Sequence, residues 1–250
     1  MSLAGKSIFV TGGNSGIGLA TALRFAHEGA DIAILSRRAD RNDDAKAQIE
    51  ERGVRCLAIA GSVTDEADVR EAIDAAVRAF GGLDYAFNCA GLAQSVTAIE
   101  ALGVEEFAAL MDVNARGTFL AMKYEIPAIR ARGGGAICNC ASTAGLVPSA
   151  LQVAYAAAKF AVVALSRGTA LETAKDNIRV NVVCPGATTG EMWFNFAAEH
   201  PDRAALVLAK HPLGRVGDKD EVATAVLFLC RDATFTTGSV LTVDGGRTAG

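Results

Sequence analysis

Short apolar runs alternate with longer stretches of helical periodicity along the whole chain. The apolar runs predict strands at 7–11, 31–36, 54–60, 84–88, 136–140, 178–184 and 239–243. Helices are predicted between them, near 16–28, 39–52, 65–80, 104–131, 151–175 and 218–231. Such alternation predicts right-handed βαβ units and therefore an α/β fold. The expected fold is a doubly wound, Rossmann-type parallel sheet of seven strands with helices on both faces.

The bulk composition agrees with this architecture. The chain has 250 residues, of which 51% are hydrophobic and 21% charged. Parallel strands covered on both faces raise the apolar fraction, and a single domain over 1–250 is expected at this length. A net charge of −4 without a basic run argues against nucleic acid as a partner.

The sequence shows no targeting or membrane segment. The first strand is entered by Ile8, which leaves no room for a signal peptide. No run approaches the roughly 18 apolar residues of a membrane-spanning helix. We therefore expect a cytoplasmic protein that does not associate with a membrane.

Cysteine and histidine provide no pattern typical of a metal site. The six cysteines are scattered without a C-x-x-C spacing, and His27, His200 and His211 form no cluster. A thiol in an apolar strand pattern usually behaves as a small hydrophobe. We therefore expect no catalytic metal.

A glycine-rich turn joins the first strand to the first helix, where residues 11–18 read TGGNSGIG. Glycine is needed where φ is positive or where the backbone must approach a ligand closely. The first turn of the helix directs unpaired N–H groups and a positive dipole end towards the same place, which suits a pyrophosphate. The spacing of Gly12, Gly16 and Gly18 differs from G-x-G-x-x-G, so the glycines alone leave an ordinary strand-to-helix turn open.

Tyr155 and Lys159 are spaced by four residues, which places both side chains on one face of a helix. There the ammonium stabilises the ionised form of the phenol, so that the phenol can exchange a proton with a carbonyl or an alcohol near neutral pH. A Tyr-x-x-x-Lys spacing is weak evidence by itself. Its combination with the glycine-rich turn, about 140 residues earlier, is hard to obtain by chance.

Both motifs, in this order, resemble the short-chain dehydrogenase/reductase family, and the resemblance covers essentially the whole chain. Further matching segments are Asn88-Cys89-Ala90-Gly91, Asp112-Val113-Asn114, the serine Ser142, Pro185-Gly186 and Val243-Asp244-Gly245-Gly246. The resemblance implies an NAD(P)-dependent oxidoreductase that moves hydride between a nicotinamide cofactor and a neutral secondary alcohol or ketone. It also implies that 1–250 form one dinucleotide-binding and catalytic domain.

The same resemblance implies a role for each matching residue. Ser142 would donate a hydrogen bond to the substrate oxygen, and Tyr155 would be the general acid or base. Lys159 would hold the nicotinamide ribose, and Asn114 would position a water that links the lysine to solvent. The implied cofactor-binding residues are Gly12, Asn14, Ser15, Gly16, Ile17, Gly18, Ser36, Arg37, Ser62, Val63, Asn88, Ala90, Gly91, Tyr155, Lys159, Pro185, Gly186 and Thr188.

The end of the second strand bears on the choice of cofactor. NAD sites typically carry an acidic residue there, whereas NADP sites offer arginine. This chain has Ser36 followed by Arg37, and a guanidinium fits a phosphate. The sequence therefore favours NADP(H) over NAD(H), while stacking of Arg37 on adenine, or its simple solvation, stays open.

Two segments depart from the family pattern. Ser62-Val63 stands where members usually carry Asp-Val against the adenine. Gly190 stands where a threonine is frequent, with Thr188 and Thr189 nearby. The contacts to the adenine and to the nicotinamide carboxamide are therefore left open.

The least regular segment, 187–213, resembles the substrate lid of the family. It carries Met192, Trp193, Phe194 and Phe196, which favours a small apolar substrate such as a cyclic alcohol or ketone. Only Arg203 and Lys210 are candidates for binding a carboxylate. A 3-oxoacyl-carrier-protein reductase and a sugar dehydrogenase remain alternatives. A non-catalytic dinucleotide-binding sensor is disfavoured, because the serine, tyrosine and lysine are all present.

The helix that carries the tyrosine is apolar around most of its circumference, since 150–165 read ALQVAYAAAKFAVVAL. One face would pack on the sheet, and the outer face, with Ala157, Ala161 and Ala164, needs another cover. We predict that this helix and the 104–131 helix pair with their copies across a two-fold axis. A second interface through the last helix and strand would complete a homotetramer, a dimer of dimers.

Overall fold

The structure, a computed structural model, describes residues 2–249. Every predicted apolar run forms a strand close to its expected bounds. The strands are β1 (Ser7–Thr11), β2 (Asp31–Ser36), β3 (Cys56–Ala60), β4 (Tyr85–Asn88), β5 (Gly135–Cys140), β6 (Ile178–Pro185) and β7 (Val240–Val243).

All strand pairs are parallel, and the order in the sheet is β3-β2-β1-β4-β5-β6-β7. The predicted doubly wound fold is therefore confirmed. The order reverses between β1 and β4, where Ile8 pairs with Ile32 on one side and with Tyr85 on the other. A crevice opens at the carboxyl ends of the strands at such a switch point, and ligands bind there in open α/β sheets.

Helices cover both faces of the sheet and bury its apolar side chains. One core, which includes Phe25 and Val226, lies between the sheet and α1, α2 and α9, and the opposite core, which includes Val69 and Leu120, lies under α3, α5 and α6. None of the helices in residues 2–249 is long and apolar enough to cross a membrane. The helices are α1 (Gly16–His27), α2 (Ala39–Glu50), α3 (Glu66–Phe80), α4 (Val104–Met111), α5 (Gly117–Ala131), α6 (Val153–Thr173), α7 (Glu191–Glu199), α8 (Pro201–Ala209) and α9 (Lys219–Leu227).

The long helix predicted over 104–131 contains one wide turn. A π-helical turn at Asp112–Arg116 joins α4 to α5, and the Gly117 N–H donates to the Asp112 carbonyl. Such turns are rare within helices and frequently occur at functional sites. This one carries Asn114, whose side chain is fully buried.

The prediction of an irregular segment at 187–213 is wrong for most of its length, because α7 and α8 form there. Gly190 precedes α7, and Pro201 occupies the first position of α8, where a missing N–H costs nothing. Neither helix buries a continuous apolar face. Within α7 and α8, Ala204 is the only buried residue. The weak periodicity follows from this exposure.

Candidate active site

One cavity of about 1030 Å³ opens at the carboxyl ends of the strands, over the switch point between β1 and β4. The four catalytic candidates, Asn114, Ser142, Tyr155 and Lys159, all line it. So do all of the cofactor-binding candidates except Asn88. Residues that lie far apart in the sequence are thus brought to one site.

The glycine-rich turn is built so that backbone can pack against backbone. Gly12 has φ +68°, and a Cβ on it would lie 3.0 Å from Ala90. A Cβ on Gly18 would lie 2.2 Å from the carbonyl oxygen of Gly12, which is too close for any residue other than glycine. The side chain of Ser15 makes no capping bond to α1, so the first-turn N–H groups are available to an anion. This cradle fits a pyrophosphate.

Ser142 both caps a turn and faces the cavity. Its Oγ accepts a hydrogen bond from the Ala144 N–H at 3.1 Å, at the start of a 3₁₀ turn. That bond uses a lone pair of the hydroxyl, so its hydrogen is left to donate to a ligand. Gly145 lets the turn pack against α6, because a Cβ there would lie 2.7 Å from the Lys159 carbonyl oxygen.

Tyr155 and Lys159 occupy one face of α6, as their spacing predicts. The Lys159 Nζ lies 5.7 Å from the centre of the Tyr155 ring and donates to the Cys140 carbonyl at 2.9 Å. Lys159 is only 4% exposed. The Tyr155 side chain is half-buried, and its hydroxyl makes no hydrogen bond to any other residue in 2–249. A cation and an unengaged phenol therefore lie side by side in the cavity wall.

Asn114 is tied to the loop that follows β4. Its Nδ2 donates to the Leu92 and Leu110 carbonyls at 3.0 Å, and its Oδ1 accepts from the Leu92 N–H at 3.2 Å. Gly91 is required next to it, because a Cβ there would lie 3.1 Å from that Oδ1. Asn114 thus fixes the loop beside Lys159.

Comparison with known proteins settles the family. A family model described as Enoyl-(Acyl carrier protein) reductase matches residues 12–248. The 2,5-dichloro-2,5-cyclohexadiene-1,4-diol dehydrogenase of Sphingobium indicum is 40% identical over 250 residues, which are 99% of this chain and 98% of that protein. The chain belongs to the short-chain dehydrogenase/reductase family. The assignment made from the motifs is confirmed.

Solved structures of this family superpose closely on the chain. A NAD⁺-bound xylitol dehydrogenase has a TM-score of 0.95 at 33% identity, covering 98% of this chain and 100% of its own. L-Sorbose reductase from Gluconobacter frateurii, in complex with NADPH and L-sorbose, has a TM-score of 0.93 at 33% identity, covering 99% and 98%. The chain is an NAD(P)-dependent oxidoreductase that transfers hydride between a nicotinamide cofactor and an alcohol or ketone.

In this short-chain dehydrogenase/reductase, arginines gather around the end of β2. Arg41 forms a two-pronged ion pair with Glu191, at 2.6 and 3.3 Å, and Arg38 lies 3.6 Å from the same carboxylate. The hydrogen bond and charge of Arg41 lower the pKa of Glu191. Arg37 is exposed and has no acidic partner within 2–249, and the buried Ser36 hydroxyl beside it has no hydrogen-bond partner there.

Glu191 was not predicted, and it connects distant parts of the chain. It begins α7 and lines the cavity, whereas Arg41 lies on α2, so their ion pair joins these two helices. Gly190, which precedes Glu191, has φ +152°, a backbone conformation that residues with a side chain rarely adopt. A threonine would be strained at that φ, which accounts for the departure from the family pattern.

The other departure, at Ser62-Val63, is bonded within its own segment. The Ser62 N–H donates to the Asp68 carboxylate at 2.8 Å, and the Ser62 hydroxyl lies 2.8 Å from that of Thr64. Val63 packs on Gly117, where a Cβ would lie 2.9 Å from the valine side chain. Both residues line the cavity.

The side chain of Asn88 does not line the cavity. Its Nδ2 donates to Glu125 and to Asn139, both at 2.9 Å, on the opposite face of the sheet. Burial raises the pKa of the fully buried Glu125 to about 8. The expectation that Asn88 contacts the cofactor needs this correction, because alternation along a strand sends Asn88 away from the side of its neighbour Cys89. Asn14 does line the cavity, and its side chain donates to Asn42 at 2.9 Å.

Gln94 is a site residue without a local sequence signal. It is 5% exposed, lines the cavity and accepts a hydrogen bond from the Tyr155 N–H at 3.0 Å. Its amide group also lies 3.4 Å from the Leu151 carbonyl oxygen, to which it donates. Gln94 therefore fixes the first turn of the helix that carries the tyrosine.

The turn after β6 is held by a buried histidine. The Ala187 N–H donates to His211 Nε2 at 3.1 Å, so the ring proton lies on Nδ1, which donates to the Val207 carbonyl at 2.8 Å. A Cβ on Gly186 would lie 2.6 Å from that Nε2, which explains the glycine. His211 thereby attaches the end of α8 to the cofactor side of the cavity.

The aromatic residues of 187–213 divide between the cavity and solvent. Trp193 and Phe196 line the cavity with ring centres 5.8 Å apart, whereas Phe194 is 59% exposed and does not. Both cationic candidates of the segment, Arg203 and Lys210, also line it.

Proposed function

We propose that this chain is an NADP(H)-dependent dehydrogenase or reductase of neutral, cyclic secondary alcohols and ketones, with Tyr155 as the general acid or base. The observation that carries this proposal is the convergence of Ser142, Tyr155 and Lys159 in one cavity wall, each with a free hydrogen-bonding group or charge. The segment 187–213 acts as the lid over the substrate.

Each residue has a separate task in the proposed mechanism. The Ser142 hydroxyl donates its hydrogen to the substrate oxygen. It is oriented to do so because its oxygen already accepts the hydrogen bond from the Ala144 N–H. Tyr155 gives a proton to that oxygen in reduction and takes it in oxidation. Lys159 supplies a buried positive charge beside the phenol, and Asn114 holds the loop through which a water reaches the lysine.

The cavity fits a dinucleotide through its shape and its free donors. The pyrophosphate would bind at the glycine-rich turn, beside the first-turn N–H groups of α1, which the Ser15 side chain does not cap. Lys159 would bind the nicotinamide ribose, and Arg37 the 2′-phosphate. When bound, the nicotinamide supplies or accepts the hydride, which is cofactor chemistry that the protein only orients.

Two substrate classes are each supported by a relative. The S. indicum diol dehydrogenase acts on a cyclic secondary alcohol, and Trp193 and Phe196 offer such a ring an apolar wall. The second candidate is a sugar or polyol, which xylitol dehydrogenase and L-sorbose reductase exemplify. The third class to be tested is a 3-oxoacyl thioester of a carrier protein. Arg203 and Lys210 support it, because both cationic side chains line the cavity.

The test is a fluorescence titration with NADPH and NADH, followed by turnover assays. The panel contains cyclohexanols and cyclohexanediones, xylitol and sorbose, and a 3-oxoacyl thioester. We expect the cyclic compounds to give the highest kcat/KM with NADP(H). Faster turnover of polyols or thioesters would replace the proposed substrate class. Cofactor binding without turnover of any compound in the panel would favour a non-catalytic sensor.

Arg37→Ala is expected to weaken NADPH binding roughly ten- to a hundredfold, because one charged hydrogen bond to the phosphate is lost. NADH binding should change much less. The measurement is the same titration, and the matched control is Arg70→Ala, since Arg70 is an exposed arginine on α3 outside the cavity. Equal losses for the two cofactors would show that Arg37 does not bind the phosphate.

We also propose that the protein is a homotetramer. Large apolar side chains remain exposed on α4, α5 and α6: Phe107 by 45%, Phe119 by 47% and Phe160 by 43%. At the other end, β7 is an edge strand, and Phe228, just after α9, is 50% exposed. Pairing through α4 to α6 and through α9 and β7 would cover both regions.

A bulky charge on the outer face of α6 should dissociate the assembly. Ala161 is half-buried within the chain, whereas Ala157 and Ala164 are exposed, so Ala164→Arg tests the interface without disturbing the core. Sedimentation at micromolar concentration is expected to give a tetramer for the wild type and a smaller species for Ala164→Arg. The control is Ala47→Arg on the exposed face of α2. A wild-type species near 25.8 kDa would refute the proposal.

A further inference from the structure

The cysteines Cys89 and Cys140 are neighbours across two strands. Asn88 and Asn139 are paired in the parallel ladder of β4 and β5, so the next residue on each strand is again side by side. The two asparagine side chains meet on one face of the sheet, at 2.9 Å. Cys89 and Cys140 therefore share the other face, where both side chains line the cavity.

The backbone spacing permits a covalent bond between them. Neighbouring strands lie about 4.8 Å apart. A disulfide requires a Cα separation of roughly 4.4–6.8 Å. Cys89 follows the last residue of β4, so its backbone lies at the end of the ladder rather than within it. The ordinary spacing of neighbouring strands thus lies within the range that a disulfide allows.

These two cysteines differ from the other four in their position at the cavity. Both line the cavity, which gives a small oxidant access to them. The neighbouring Cys89 thiol lowers the pKa of the Cys140 thiol, and the Lys159 ammonium acts in the same direction against the effect of burial, whereas the pKa of Cys89 itself is raised by the neighbouring Cys140 and by burial. Burial instead raises the pKa of Cys56, Cys184 and Cys230 to about 12, and that of Cys138 well above its ordinary value. Thiolate character is thus concentrated at Cys140.

We propose that Cys89 and Cys140 form a redox-sensitive pair, which peroxides oxidise to a disulfide that impairs cofactor binding. This inference goes beyond the proposed function and does not depend on the identity of the substrate. Cofactor binding would be impaired because the backbone at each cysteine contacts a part of the cofactor site. Ala90 packs against Gly12 of the glycine-rich turn, and the Cys140 carbonyl holds the Lys159 ammonium. A disulfide would reorient both cysteines and thereby shift both of these contacts.

The chemistry balances with one peroxide for each disulfide. The Cys140 thiolate attacks a peroxide oxygen, the O–O bond breaks, and the leaving oxygen takes a proton to depart as water or an alcohol. The Cys89 thiol then displaces the hydroxyl group of the sulfenic acid, which leaves as water while the S–S bond forms. Two thiols lose two electrons, and one peroxide is reduced.

The test uses stoichiometric hydrogen peroxide on the full-length wild-type protein. We expect the intact mass to fall by two hydrogen atoms, peptide mapping to join Cys89 to Cys140, and NADPH affinity to fall at least ~10-fold. Dithiothreitol should restore both mass and affinity. Absence of this disulfide, or a disulfide that leaves NADPH affinity unchanged, would overturn the proposal.

Single-cysteine variants provide the controls. Cys89→Ala and Cys140→Ala should not lose two hydrogen atoms, and Cys89→Ser serves if an alanine variant folds poorly. Cys138→Ala should form the disulfide as the wild type does. Cys138 lies on the same strand and face as Cys140 but does not line the cavity. Unchanged disulfide formation in Cys89→Ala would assign the oxidation to another pair.

Discussion

Replacing Tyr155 with phenylalanine is expected to lower turnover at least ~10²-fold while leaving cofactor affinity almost unchanged. The ring and its contact with Lys159 are retained, and only the hydroxyl that exchanges the proton is lost. Because that hydroxyl bonds to no other residue in 2–249, its removal breaks no contact on which the fold depends. The measurement is steady-state turnover in both directions, together with NADPH titration.

The matched control is Tyr124→Phe. The Tyr124 hydroxyl lies outside the cavity and donates to Glu66 at 2.6 Å, so its loss tests the removal of a phenolic hydroxyl without involving the site. Turnover of that variant should remain within about twofold of the wild type. Tyr155→Phe with wild-type turnover would end the assignment of Tyr155 as the acid or base.

Gly18→Ala is expected to give the second large effect. The added methyl group would lie 2.2 Å from the carbonyl oxygen of Gly12, and backbone stands on both sides of this contact. The turn must therefore open, which should weaken binding of both NADPH and NADH at least ~10-fold and lower the free energy of unfolding by about 1–3 kcal/mol. Denaturant unfolding and cofactor titration measure the two effects.

Gly168→Ala is the control for this substitution. Gly168 lies exposed within α6, and nothing stands within 4 Å of the added methyl group. Alanine is favoured over glycine in a helix by roughly 0.5–1 kcal/mol, so this variant should gain stability. If Gly18→Ala binds cofactor as the wild type does, the close packing of the glycine turn is not what shapes the site.

The strands and most helices could be predicted because their apolar patterns are local. The apolar run Ile178–Pro185 must form a buried strand wherever it lies, and Tyr155 and Lys159 share a face by helical geometry alone. The helices α7 and α8 were missed because they bury little. Pro201, a first-turn residue of α8, was the one start signal in that segment.

Contacts between distant segments could not be predicted from patterns of this kind. Gln94 caps a helix that begins 59 residues further along, and Glu191 meets an arginine on α2. In both cases the partner is chosen by the folded arrangement and not by spacing. Asn88 shows the opposite case: its position in the motif pointed to the cofactor, whereas its place in the strand turns it towards Glu125.

The buried Glu125 links folding to proton uptake. Its pKa rises from an ordinary value of 4.5 to about 8 in the folded chain, so it is protonated there at neutral pH and ionised in the unfolded chain. Folding therefore takes up a proton between these two values, and this group's contribution to stability declines as the pH rises through that interval. At pH 7 the folded molecule also carries one negative charge fewer than its formal −4.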